Sequence, residues 1–161
     1  MAAFTGTPAS SVEYAKIGTR DLNAFDTQAN LQVSVANYTH AGGAGTGEIN
    51  LVKLPAGKIR IHSHLSKIWA SQFATSADLH LGYRAYVGGD GVTVIEDDNA
   101  FADNLDVAAA AIDATFALPS ALGEYLEFDT QDGLILFALV DTGNIEDADT
   151  INLVVVYSTI E

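Results

Sequence analysis

The chain has 161 residues, 48% hydrophobic and 17% charged, with no cysteine, so it is large enough for one self-supporting core and has no disulfide, thiolate metal site or cysteine nucleophile. Charge is lopsided: through Arg84, seven Lys and Arg against five Asp and Glu give +2, whereas Ala85 to Glu161 holds sixteen acids and no base, −16, and the two sum to −14. Such a chain repels nucleic acid and anionic lipid, and its partners are either basic or held through apolar and backbone contacts. The opening residues lack the basic start and long apolar core of a secretory signal, and no apolar run is long enough to cross a bilayer. The expectation is a soluble, unsecreted chain. Fourteen Gly, only three Pro and abundant Val, Ile, Leu and Thr predict an all-β fold.

Residues 1–28 are small, polar and weakly periodic, with Phe4, Tyr14 and Phe25 too far apart to define a face. They predict an extended N-terminal arm ahead of a β-sandwich domain over 29–161. Alternation begins at Leu31, Val33 and Val35, and the glycine-rich stretch His40 to Gly47 predicts a hairpin loop. Glu48 to Leu54 reads as a strand, Pro55-Ala56-Gly57 as a turn, and Lys58 onward as a second strand with Ile59, Ile61, Leu65 and Trp69 on its apolar side. Asp78 to Val87 alternates as one strand, Val92 to Ile95 as a short one. Between Glu96 and Val107 the spacing of Phe101, Leu105 and Val107 predicts a helical turn capped by Asp98 or Asn99. Ile112 to Leu118 and Glu124 to Phe128 alternate again. Leu134 to Val140 and Ile151 to Tyr157 are nearly continuous apolar runs, as central strands covered on both faces require. About nine short strands with Gly, Asp and Asn turns and no amphipathic helices between them predict a two-sheet sandwich or jelly roll.

Four stretches carry a resemblance: Gly45 to Gly57, Asp78-Leu-His-Leu-Gly-Tyr83, Asn99 to Val107, and Asp147 to Tyr157. In their order and character they resemble the small head decoration, or cement, proteins of tailed bacteriophages. That resemblance implies a jelly-roll unit, a homotrimer, that sits on the virion's capsid surface, contacts the major capsid protein and bridges capsomers against internal pressure after assembly in the host cytoplasm. It implies no catalysis and no cofactor.

Several motifs invite a chemical reading. His62-Ser63-His64 places two imidazoles two residues apart, with His80 as a third donor on the next strand, and Pro55-Ala-Gly57 ahead of them resembles the first cupin motif. The pattern then departs from cupins: Leu65 to Trp69 supply no carboxylate, no His follows His80, and Lys58 and Arg60 oppose a cation. The preferred reading is a polar strip facing a protein partner. Lys53, Lys58, Arg60, His62, His64, Lys67 and Arg84 are its candidate interface residues, all but Arg84 in a stretch from Glu48 to Asp78 with no acid between its ends. The alternative is ion pairing within the chain's own sheet. The Gly42 to Gly47 loop lacks the Lys-Ser/Thr of a phosphate cradle, and the acidic clusters at 90–98 and 146–149 lack the EF-hand order, so both read as turns. No Gly-x-Ser-x-Gly elbow occurs, and aromatics are not interleaved with bases as a single-strand nucleic-acid platform needs. A tail or receptor module binding carbohydrate through Tyr and Asp side chains is the second class of function this composition supports.

Overall fold

The computed structural model describes residues 31–42, 44–73, 76–117 and 125–160. The arm expected over 1–28, and the domain boundary drawn after it, lie outside them. A six-stranded sheet is organised around β12 (Thr150–Ile160), which pairs along its length with β1 (Leu31–Thr39). On its other side β12 meets two strands end to end, β3 (Gly57–His62) and β4 (Lys67–Ala70). Beyond these lie β10 (Tyr125–Thr130), paired with β3, and β9 (Ile112–Thr115), paired with β4. The second sheet runs β2 (Gly45–Leu54), β11 (Leu134–Ile145), β5 (Asp78–Tyr83), β8 (Asp97–Asp106). A two-stranded hairpin, β6 (Tyr86–Val87) with β7 (Thr93–Val94), joins the edge of β10 through the Gly88–Thr130 bridge. Every pairing is antiparallel, and the fold is the expected all-β sandwich of jelly-roll type.

The period-2 pattern explains the core. Ile59 and Ile61 of β3, Ile68 of β4 and Ile151, Leu153 and Val155 of β12 face Leu54 of β2, Leu79 and Leu81 of β5, and Leu134, Leu136 and Val140 of β11 in one buried cluster. The central position of the two apolar runs follows from their pairing: β11 lies between β2 and β5, and β12 between β1 and the β3–β4 pair. Their outer faces differ. Phe137, on the outward side of β11, is wholly buried, whereas Val154 and Val156 on the outward side of β12 are only half-buried, so among the described residues β12 is fully covered on one face alone.

Four expectations about element type or extent are corrected. The helical turn at 98–107 is strand β8, and the helix-like spacing arises because β8 pairs with β5 through two register shifts, with Asn104 at φ +49; each inserted residue breaks strict alternation. The glycine-rich loop after β1 is no hairpin: β1 and β2 belong to different sheets, so the connection between them is an arch from one layer to the other. It lies against the second arch, β11 to β12, through His40 N–H donating to Asp149 O (2.8 Å) and Ala148 N–H to His40 O (2.9 Å). The strand from Lys58 stops at His62. A single 3-10 turn, Ser63–Leu65, follows, and the buried Ser66 hydroxyl replaces the interrupted ladder, accepting from Val156 N–H (2.9 Å) and donating to His62 O (2.8 Å). Likewise the strand read from Asp78 to Val87 breaks after Tyr83, where Arg84 N–H donates to Ile135 O (2.9 Å).

Candidate interaction face

The outward face of the six-stranded sheet can be read across its registers. One row runs Val35, Val154, Lys67, Thr115; the next Asn37, Asn152, Trp69, Asp113; at the other end Leu31, Ser158, Arg60, Glu127 share a row. Val33 sits opposite Val156 between them. The result is an apolar stripe on β1 and β12, two strands that contain no charged residue, bordered by Arg60, His62, Lys67 and Trp69 on β3 and β4. Val33 is 61% and Val35 58% exposed. Leu65 and Tyr125, also exposed, lie in the adjoining turn and at the start of β10. Sequence reading marked the cations of this face and passed over the valines. Their signal was in the sequence: alternation on β1 combined with a partner strand apolar on both sides.

The structure divides the seven interface candidates between two faces. Lys58, Arg60, His62 and Lys67 share the face just described, and His64 stands in the turn between β3 and β4. Arg60 stacks over Tyr125, its Cζ 4.1 Å from the ring centre, and its Nε donates to Glu127 (2.9 Å); Lys67 pairs with Asp113 (3.3 Å). These cations therefore form a rim of local ion pairs around the stripe, each exposed pair contributing about 0–1 kcal/mol. Lys53 and Arg84 are on the opposite, four-stranded sheet. The Arg84 guanidinium lies over the Phe137 ring (4.0 Å) and donates to Asn50 (2.8 Å), Glu96 (3.0 Å) and Glu48. Burial works against its charge, yet the bonds to Glu48 and Glu96 outweigh that and raise its pKa.

The histidines do not converge as a triad. His62 and His64 meet edge to face with ring centres 6.3 Å apart, whereas His80 belongs to the other sheet and pairs with Asp103 (3.0 Å). Burial, then the neighbouring charges of His64 and Arg60, lower the His62 pKa below its usual 6.5. The unfolded chain therefore takes up the proton first: His62 contributes no pH dependence above about 6.5 and progressively destabilises the fold as pH falls below it. Melting temperatures measured from pH 7.5 to 5 are expected to fall less steeply in His62→Gln than in the parent; parallel curves would refute the assignment.

A second concavity, a cleft of about 500 Å³, opens between edge strands β8 and β10 and is lined by Tyr83, Tyr86, Asp97, Asn99 and Phe128. Burial and then Asp97 raise the Tyr83 pKa; burial, Tyr83 and Asp129 raise that of Tyr86, so both phenols are protonated hydrogen-bond donors at neutral pH.

No family model matches the chain, and no curated protein matches it in sequence. Among solved structures, a chain of the cyanophage Pam1 capsid asymmetric unit aligns with a TM-score of 0.59 at 15% identity, covering 99% of this chain and 100% of that one. A chain of the capsid of Ralstonia phage GP4 aligns with a TM-score of 0.62 at 17% identity, covering 89% of this chain and 94% of that one. At such identities the likeness establishes a shared sandwich fold and no more.

Proposed function

We propose that this chain is a structural accessory of a bacteriophage head. It binds the outer surface of the shell, contacts the major capsid protein and bridges neighbouring capsomers as a homo-oligomer, a trimer as the sequence resemblance implies. The observation carrying this reading is that the structural correspondence with two phage capsid chains extends over 99% and 89% of this chain and 100% and 94% of theirs. The exposed valine stripe with its ion-paired rim supports it, since an apolar centre with a polar border suits protein–protein contact. Stabilisation is then additive: many weak contacts, multiplied by shell symmetry, raise the barrier to rupture. Purified chain added to shells that lack it is expected to bind at fixed stoichiometry and raise their disruption temperature. Failure to bind, or full occupancy with an unchanged disruption temperature, overturns the proposal.

The Tyr83–Tyr86 cleft supports a second reading, a tail or receptor module that takes carbohydrate between aromatic walls and the Asp97 carboxylate. A glycan array, with Tyr86→Ala as control, separates the two. Specific glycan binding lost in that variant favours the second reading, and a blank array removes it.

A further inference from the structure

The large hydrophobic side chains most open to solvent among the described residues fall into two groups of opposite surroundings. Leu31, Val33 and Val35 stand on β1, in the charge-free β1–β12 area bordered by Arg60 and Lys67, with Leu65 and Tyr125 beyond that border in the β3–β4 turn and on β10. Val92 (61% exposed) and Ile95 (80% exposed) bracket β7, surrounded in sequence by Asp90, Glu96, Asp97 and Asp98. The hairpin that presents them is preorganised: Gly88 N–H donates to Val92 O (2.8 Å), Gly91 N–H to Gly88 O (2.8 Å), and Val92 N–H to the Asp90 carboxylate (3.0 Å). It is pinned to β10 through Gly89 N–H to Asp129 O (3.1 Å) and Gln131 N–H to Val87 O (2.9 Å).

Topology sets these groups at opposite ends of one sheet. Across the six-stranded sheet the order is β1, β12, β3, β10, and the hairpin is bridged to β10 while the valines line β1. One molecule thus cannot bring them together, but two molecules side by side can. The partner surface must also tolerate acids. In a chain of net charge −14, the β1–β12 area is where, among the described residues, Asp90 and Glu96 to Asp98 of a neighbour meet no carboxylate on either strand, and Arg60 and Lys67 lie beyond it. β1 is besides an edge strand without the usual guards: its nine residues include no charge, proline or glycine, whereas the edges β8 and β10 carry four and two acids.

We infer that copies of this chain join head to tail, the β6–β7 hairpin of one seating Ile95 against the Val33–Val35 edge of the next. Such a contact is heterologous, so it closes into a ring when the rotation between copies allows. The inference rests on the self-association proposed above and names the surfaces that carry it.

Sedimentation of the full chain tests it, with Ile95→Asp and Val33→Asp made separately. The parent is expected to assemble beyond a dimer, and each variant to need at least tenfold higher protein concentration. A one-to-one mixture of the two variants is expected to give dimers and nothing larger, because one intact hairpin–edge pair survives per dimer. Circular dichroism checks folding; should either Asp variant melt early, Ile95→Ser and Val33→Thr replace them. Variants that assemble like the parent, or a mixture that stays monomeric, overturn this contact while leaving self-association standing. A parent chain monomeric at all concentrations sinks self-association itself.

Discussion

Phe101→Ala is expected to lower the stability of the domain by about 3–5 kcal/mol, the largest loss from any single truncation discussed for this chain. Phe101 is wholly buried on β8, and its ring meets Phe116 at 5.1 Å, Phe128 at 6.1 Å and Tyr83 at 6.3 Å, in tilted and edge-to-face geometry. Phe128 belongs to β10 in the six-stranded sheet, Phe116 follows β9 of that sheet, and Tyr83 ends β5 in the other. Removing the ring therefore opens a void where the two sheets grip each other, and neighbours anchored on separate strands cannot collapse into it. For a domain of this size the melting temperature should fall by roughly 10 °C. Phe101→Leu, which restores most of the volume, should cost about 1.5 kcal/mol or less. If the two variants melt together within a degree or two, the ring contacts are not what joins the sheets here.

The same residue shows where sequence reading succeeds and where it stops. Phe101 was seen to be an anchor, but of a helical turn, because one apolar residue every three or four positions is what both a helix and a bulged strand produce. Strands whose alternation or apolar run is long were legible: Leu31 to Val35, Glu48 to Leu54 and the two apolar runs fall within β1, β2, β11 and β12. Which sheet a strand enters is a matter of pairing between distant residues, so the arch after β1 looked like a hairpin. The candidate face was half legible. Its cations announced themselves by type, while Val33 and Val35 look like ordinary core residues in sequence and are shown as exposed only by the sheet pairing of the described residues. Arg84, selected by its charge alone, lies on the other sheet, where its guanidinium meets Glu48, Glu96 and the Phe137 ring, neighbours that spacing along the chain did not reveal.

Gly82→Ala is expected to destabilise the domain by about 3 kcal/mol, an overpacking cost with an unusual target. A Cβ at Gly82 would lie 2.0 Å from Asp97 O and 2.5 Å from Asp98 Cα, both backbone atoms, so no side-chain rotation relieves the clash. β8 must then move away from β5, at the place where their register already shifts between Leu81 and Tyr83. The damage propagates to the outward face of the four-stranded sheet. Gly82 is the register partner of Phe137, and Glu96, just ahead of the displaced Asp97, holds the Arg84 guanidinium that covers that ring. Loss of β8 position thus uncovers a buried aromatic and loosens an ion pair in one step. Hydrogen exchange should show the β8 amides losing protection before those of β12, while a Glu96→Gln variant, which leaves the backbone in place, should show little change in either strand. An alanine variant with parental melting and exchange would mean that β8 adapts freely, and that the close approach over Gly82 is not what fixes it.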